Sequence, residues 1–341
     1  MDYIVQPFVT YVTNWNEIFI MFMSVWRYQR PDSLGPSGWY QFFKQEYKVI
    51  LGSCTMDMEF IIYTLAIGAL ITIIRIGSQK LILDKIPIWL DMNEESRDKF
   101  PESLFRLISY IFLWSCTSYV VLFSNYPILD GPDTMWSDFS GVSTIIAPDI
   151  FFVYVLQCGY YVHCAYANIA LDVHRTDFWA LMLHHVVTLS LISFSYASRY
   201  HNVGIIVIFL HDICDIFLEI AKCSRYLQVL GGKSYFISDI VSAIAFVLFS
   251  SSWVWLRLYW FQTKVLMGTA VASMVLDMDG EFYLVFNVLL LVLYGLNLYW
   301  FFFIVLVVYD IITGVGLSDN RETELMEKSR EEVRKRKEKT H

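Results

Sequence analysis

The chain has 341 residues, 56% of them apolar, 17% aromatic and 17% charged, with a net charge of −8. A soluble domain carries about 45–50% apolar and about 25% charged residues, so this balance places the chain in a membrane. Counts of 16 Gly, 8 Pro and 6 Cys exclude disorder, collagen and a disulfide scaffold, and 25 Lys and Arg against 33 Asp and Glu leave no basic field for nucleic acid.

In chain order, Met1 to Gln6 lacks the basic region of a cleavable signal. The apolar stretch Ile18 to Trp26, bracketed by Glu17 and Arg27, is nine residues long and too short to span. Its Trp15, Ile18, Phe19, Phe22 and Trp26 recur at helical spacing, which fits an interfacial helix or a packed N-terminal segment within residues 1–57. Seven later stretches are long and apolar enough to cross: Met58 to Ile76, Leu107 to Ser124, Ile150 to Leu171, Phe178 to Ala197, Val203 to Ala221, Phe236 to Leu256 and Leu284 to Val308. Residues 77–101 form a charged linker with Pro87 and Pro101, residues 102–310 a six-span body, and residues 311–341 a tail in which eight bases alternate with seven acids. The expected fold is an all-α polytopic membrane protein of seven helices, the last six surrounding a cavity open to the cytosol.

Lys and Arg favour cytosolic loops. Segments after the first, third and fifth spans and the tail are basic, whereas Asn125 to Asp149 has no base and the other two opposite loops hold Arg199 and, with its border, Arg257 and Lys264. The C-terminus is therefore expected in the cytosol and the N-terminus on the far side. Cys116, Cys158, Cys164, Cys214 and Cys223 lie in or at the ends of spans, so they read as buried thiols.

An ionisable side chain at the centre of a span costs about 2.5–3.5 kcal/mol on insertion scales, so clusters of them need a reason. The fourth span carries His184 and His185, and the fifth carries His211, Asp212, Asp215, Glu219 and Lys222. His184 lies seven residues in from Asp177, and Asp215 seven residues in from Lys222, which puts both about 10 Å below the cytosolic surface. Asp212, Asp215, Glu219 and Lys222 share one helix stripe, as do Asp177, His184 and Thr188; His185 is rotated about 100° from His184. The third span adds Gln157, Tyr161, His163, Cys164 and Asn168, and the seventh Asn287, Tyr294 and Asn297. Read alone, each of these polar groups is an interhelical hydrogen bond, and Glu219 with Lys222 a structural ion pair. His184, His185, Asp212 and Asp215 together read as catalytic. Asp177, His211, Glu219, Tyr161, Asn168, Asn297 and Tyr294 are candidates for holding substrate. No His-x-x-x-His pair shares a helix face, and no resident metal is expected.

The stretch Asp177-Phe-Trp-Ala-Leu-Met-Leu-His184-His185-Val-Val-Thr188, with His211-Asp212-Ile-Cys-Asp215-Ile-Phe-Leu-Glu219-Ile-Ala-Lys222, resembles the Lag1 motif of ceramide synthases in the TRAM/Lag1/CLN8 domain family. The similarity runs over roughly Glu102 to Val308. Most animal members carry a homeobox-like segment between the first two spans. Here that interval holds about thirty residues, like the homeobox-lacking branch. The resemblance implies an endoplasmic reticulum N-acyltransferase that joins a fatty acyl-CoA to a sphingoid base, with acyl-CoA as co-substrate and no further cofactor. It also implies a six-helix barrel and homo- or heterodimers with other ceramide synthases.

The chemistry agrees. Amide formation from a thioester needs a nucleophile or base of near-neutral pKa, which histidine supplies, and carboxylates to fix its tautomer or hold the substrate ammonium. Histidine as acyl-accepting nucleophile and histidine as base in direct aminolysis both fit. At the mouth, Arg175, Lys222, Arg225 and Lys233 are weak candidates for CoA phosphates beside their plainer reading as positive-inside residues. A non-enzymatic lipid sensor, a translocon-associated protein or a proton-coupled transporter is the rival class; inverted repeats or broken spans, which a transporter would favour, are not evident. Lys337 and Lys339 resemble a coat-binding retrieval signal. The segment Met267 to Asp279 is the expected site of acyl-chain selection, by resemblance to the corresponding region of ceramide synthases.

Overall fold

The computed structural model describes residues 57–124, 126, 145–172, 177–269 and 283–313. The expectations for Ile18 to Trp26, Arg175, residues 270–279 and the tail with Lys337 and Lys339 therefore lie outside the described residues. Long helices dominate: α1 (Met58–Ser78), the four-residue α2 (Ile86–Trp89), α3 (Glu94–Phe123), α4 (Pro148–Ala170), α5 (Phe178–Ala197), α6 (His201–Tyr226), α7 (Phe236–Ser252) and α8 (Tyr283–Ile312). A two-residue hairpin, β1 (Val229–Leu230) with β2 (Lys233–Ser234), turns α6 into α7 through Gly231 and Gly232, both at positive φ.

Among the described residues six helical stretches are long and apolar enough to cross a membrane: Met58–Trp89, Ser96–Phe123, Pro148–Ala170, Phe178–Ala197, Phe236–Thr269 and Val285–Ile312. The 26-residue α6 is a seventh long helix, set apart by Asp212, Asp215, Glu219, Lys222 and Arg225. Two boundaries differ from expectation. Helix α3 starts at Glu94 and runs through Pro101, whose carbonyl accepts from Arg75 Nη1 at 3.3 Å. Beyond α7 the chain does not enter a loop at Arg257: a π-helix continues over Trp253–Leu266. Its buried Trp253, Arg257, Phe261 and Val265 recur every four residues, which the wider π turn aligns on one face.

Helix α1 packs on α4, α4 on α3 and α5, α5 on α8, α8 on the π-helix that extends α7, and α7 on α6, which returns to α3. The α1–α4 approach depends on glycine: a Cβ on Gly159 would stand 2.5 Å from Ile67 Cγ2. Both ends of α1 are tied down. Tyr196 stacks on Phe60 at 3.9 Å and donates its hydroxyl to Asp57, while at the other end Arg75 and Arg106 share Asp172. Between these ties, the Thr72 hydroxyl meets His163 Nδ1 at 2.9 Å, so His163 carries a structural hydrogen bond.

Candidate active site

Helices α5 and α6 meet in a turn at Ser198–Tyr200, where Arg199 adopts φ 63°, and α6 folds back along α5. Helix α8 also runs against α5, because Phe286 lies beside Tyr200 at 5.5 Å and Trp300 beside His184 at 5.4 Å. A partly open cavity lies among these three helices, with Tyr161 of α4 on its wall. His184, His211 and Tyr161 line one end. Along the helices come Thr188, Val207, Ile208, Leu290 and Leu293, then Leu191, Ile192, Gly204 and Phe286. The cavity is thus polar at one end and, apart from Thr188, apolar beyond it.

His184 is half-buried and lines the cavity, edge-to-face with Trp300, and its Nδ1 lies 3.4 Å from the Thr188 hydroxyl. His185, 7% exposed, faces away from that lining, its ring 5.7 Å from that of His184. Tyr161 joins the set: its ring is 6.2 Å from each histidine.

The two aspartates stand behind the cavity wall in unlike surroundings. Asp212 is fully buried and accepts from Gln157 Nε2 at 2.7 Å. Asp215 is paired with Arg257 at 2.8 Å. The same guanidinium nitrogen donates to the His211 carbonyl at 2.7 Å, and the group lies 4.1 Å above the Trp253 ring. A carboxylate with a guanidinium partner has its charge offset; one held by a neutral amide does not.

His211 has both ring nitrogens engaged. Nδ1–H donates to the Val207 carbonyl at 2.8 Å, which leaves Nε2 as the acceptor for the Asn297 amide at 3.1 Å. It is a wall of fixed tautomer. Asn297 is fully buried, and Tyr294 donates its hydroxyl to Gln262 at 3.1 Å, so both brace α8 against neighbouring elements. Asn168 is buried away from the cavity, Asp177 sits at the N-terminus of α5, and Glu219 pairs with Lys222 at 3.0 Å. Lys222 is thus engaged by a carboxylate; Arg225 closes the last turn of α6, and Lys233 is exposed on the hairpin. Among the described residues no group of three His, Cys, Asp or Glu is placed to hold a metal.

Arg257 is the residue that sequence reasoning missed. It was counted as a loop border base, yet it is 4% exposed and bonded into the site. The usable signal was its place four residues after Trp253 and four before Phe261, within one apolar stripe.

A multi-pass helical domain with two adjacent histidines at one end of an apolar cavity, and a buried and a half-buried aspartate behind its wall, is the class these observations define. The TLC domain family model matches residues 99–306. Human ceramide synthase 1 is 40% identical over 231 residues, covering 67% of this chain and 66% of that protein, just under two thirds of its length. ASC1-like protein 3 of Oryza sativa subsp. japonica is 30% identical over 234 residues, 78% of its length, and ceramide synthase LOH2 of Arabidopsis thaliana is 33% identical over 168 residues, 54% of its length. The chain belongs to the TLC-domain family.

Proposed function

We propose that the protein is a ceramide synthase, transferring the acyl group of a fatty acyl-CoA to the amine of a sphingoid base. The observation that carries this reading is one cavity with His184 at its polar end and apolar side chains beyond. A thioester carbonyl placed at His184 leaves the acyl chain among Leu191, Ile192, Ile208 and Leu290, and the hydrophilic CoA on the side from which the polar groups open. With Nδ1–H donating to Thr188, His184 Nε2 keeps its lone pair for the acyl carbon. Behind the wall, Asp212 and Gln157 tie α6 to α4, and Asp215 and Arg257 hold α6 and the π-helix in register.

All seven long helices span in this reading, with α6 sheltering its charges inside. The neighbour order α3, α4, α5, α8, α7, α6 supports a six-helix barrel with α1 outside. The mouth faces the cytosol, where loop charges put the C-terminus, and the address is the endoplasmic reticulum. Purified protein is expected to N-acylate sphinganine in a time-dependent way when given acyl-CoA; binding of both lipids without turnover would replace the transferase by a lipid sensor. For the address, a Lys337→Ser, Lys339→Ser variant is expected to leave the reticulum for later compartments, as imaged in cells. Unchanged reticular retention would remove the retrieval signal.

A further inference from the structure

The cavity has an apolar end as well as a polar one. His211 meets Asn297, and eleven residues along each of their helices Tyr200 meets Phe286. At 1.5 Å per residue, both helices place this second contact about 16 Å beyond the histidine. The packing behind it is solid. Tyr154 is fully buried, donates its hydroxyl to the His201 carbonyl at 3.0 Å and meets the Ser195 hydroxyl at 2.9 Å. Gly204 presses so closely on that hydroxyl that an added Cβ would overlap it.

We infer that Phe286, seated edge-to-face on Tyr200, is the floor of the acyl cavity and the side chain that limits acyl-chain length. The inference rests on the transferase reading and adds which residue selects the substrate. Phe286 is 2% exposed and lines the cavity. The Tyr154, Ser195 and Gly204 group next to it cannot yield without breaking hydrogen bonds or backbone packing, whereas the Phe286 ring is held by apolar contact alone. Shortening it lengthens the cavity along its own axis. Leu290, one turn nearer to His184 on the same helix face, is where added bulk shortens it.

The test is competition among acyl-CoAs of graded length with sphinganine and purified protein, the ceramides being separated by mass. Phe286→Ala is expected to raise the ratio of products two carbons longer than the wild type's preferred chain about tenfold, and Leu290→Phe to move the profile to shorter chains, since a methylene gained or lost in an apolar pocket changes selectivity by about that factor or more. If Phe286→Ala fails to fold, Leu290→Phe carries the test, because it adds volume instead of removing it. An active Phe286→Ala enzyme with the wild-type profile, or an active Leu290→Phe enzyme that does not shift to shorter chains, overturns the floor assignment. A folded wild-type protein that acylates sphinganine with none of the acyl-CoAs overturns the transferase reading, and the floor with it.

Discussion

Arg257→Met is expected to destabilise the protein by about 3 kcal/mol, the low end for a buried pair, because it strips the half-buried Asp215 carboxylate of its guanidinium partner. Met fills similar volume and can still lie on Trp253, so the loss isolates charge and hydrogen bonding from packing. The double variant Arg257→Met, Asp215→Asn removes the orphaned charge and is expected to recover much of that stability, as uncharged replacements of buried pairs commonly do. Thermal unfolding of the detergent-solubilised protein measures both. Simple additivity of the two single losses would mean that the pair contributes nothing as a pair, and the register role of Arg257 would fall. Activity is not expected to return with stability in the double variant, because the His211 carbonyl also loses its donor and the cavity wall is released.

Much of this arrangement was legible because the bilayer makes it so. Apolar stretches of about twenty residues mark spanning helices, and ionisable groups inside them stand out by their cost. His184, His185, Asp212 and Asp215 were singled out that way, and the shared depth of α5 and α6 was read from helix rise alone. The i, i+3 spacing of Glu219 and Lys222 likewise announced an ion pair that the structure contains. What the residues did not reveal is partner identity across helices. Nothing local distinguishes Asp212, held by Gln157 from α4, from Asp215, held by Arg257 from the π-helix. Arg257 itself was misplaced because a charge near the end of an apolar run reads as the loop beyond it, whereas a π-helix carried the chain on and buried the guanidinium among aromatic rings and a carboxylate. Nor did spacing show that His211 has both nitrogens committed, since one partner is its own helix backbone and the other lies 86 residues away.

His184→Ala is expected to lower transferase activity by at least about 10³-fold, the range in which nucleophilic and general-base groups act. It is also expected to abolish a covalent species. In wild-type protein given acyl-CoA without sphingoid base, rapid quenching and intact mass spectrometry should reveal a gain of one acyl group. Adding sphinganine should discharge it. On this route an acyl-imidazole would form as His184 Nε2 displaces CoA thiolate from the thioester; attack by the sphingoid amine on the same carbonyl would then give the amide and return the imidazole, with the amine proton passing to a nearby base. Such an adduct hydrolyses unless water is kept away. The surroundings suit that requirement: Trp300 covers the His184 ring from one side, and Leu191, Ile192, Ile208 and Leu290 line the space where the acyl chain would lie. Among the described residues no serine or cysteine lines the cavity. Cys214 is fully buried in a separate cluster with Phe249, Trp253 and Ile304, away from the cavity lining. His185 stands behind His184 without lining the cavity, so His185→Ala should weaken turnover while a trace of adduct still forms. An active, rapidly quenched preparation with no added mass would instead assign His184 as the base of a direct aminolysis, and would leave the transferase reading intact.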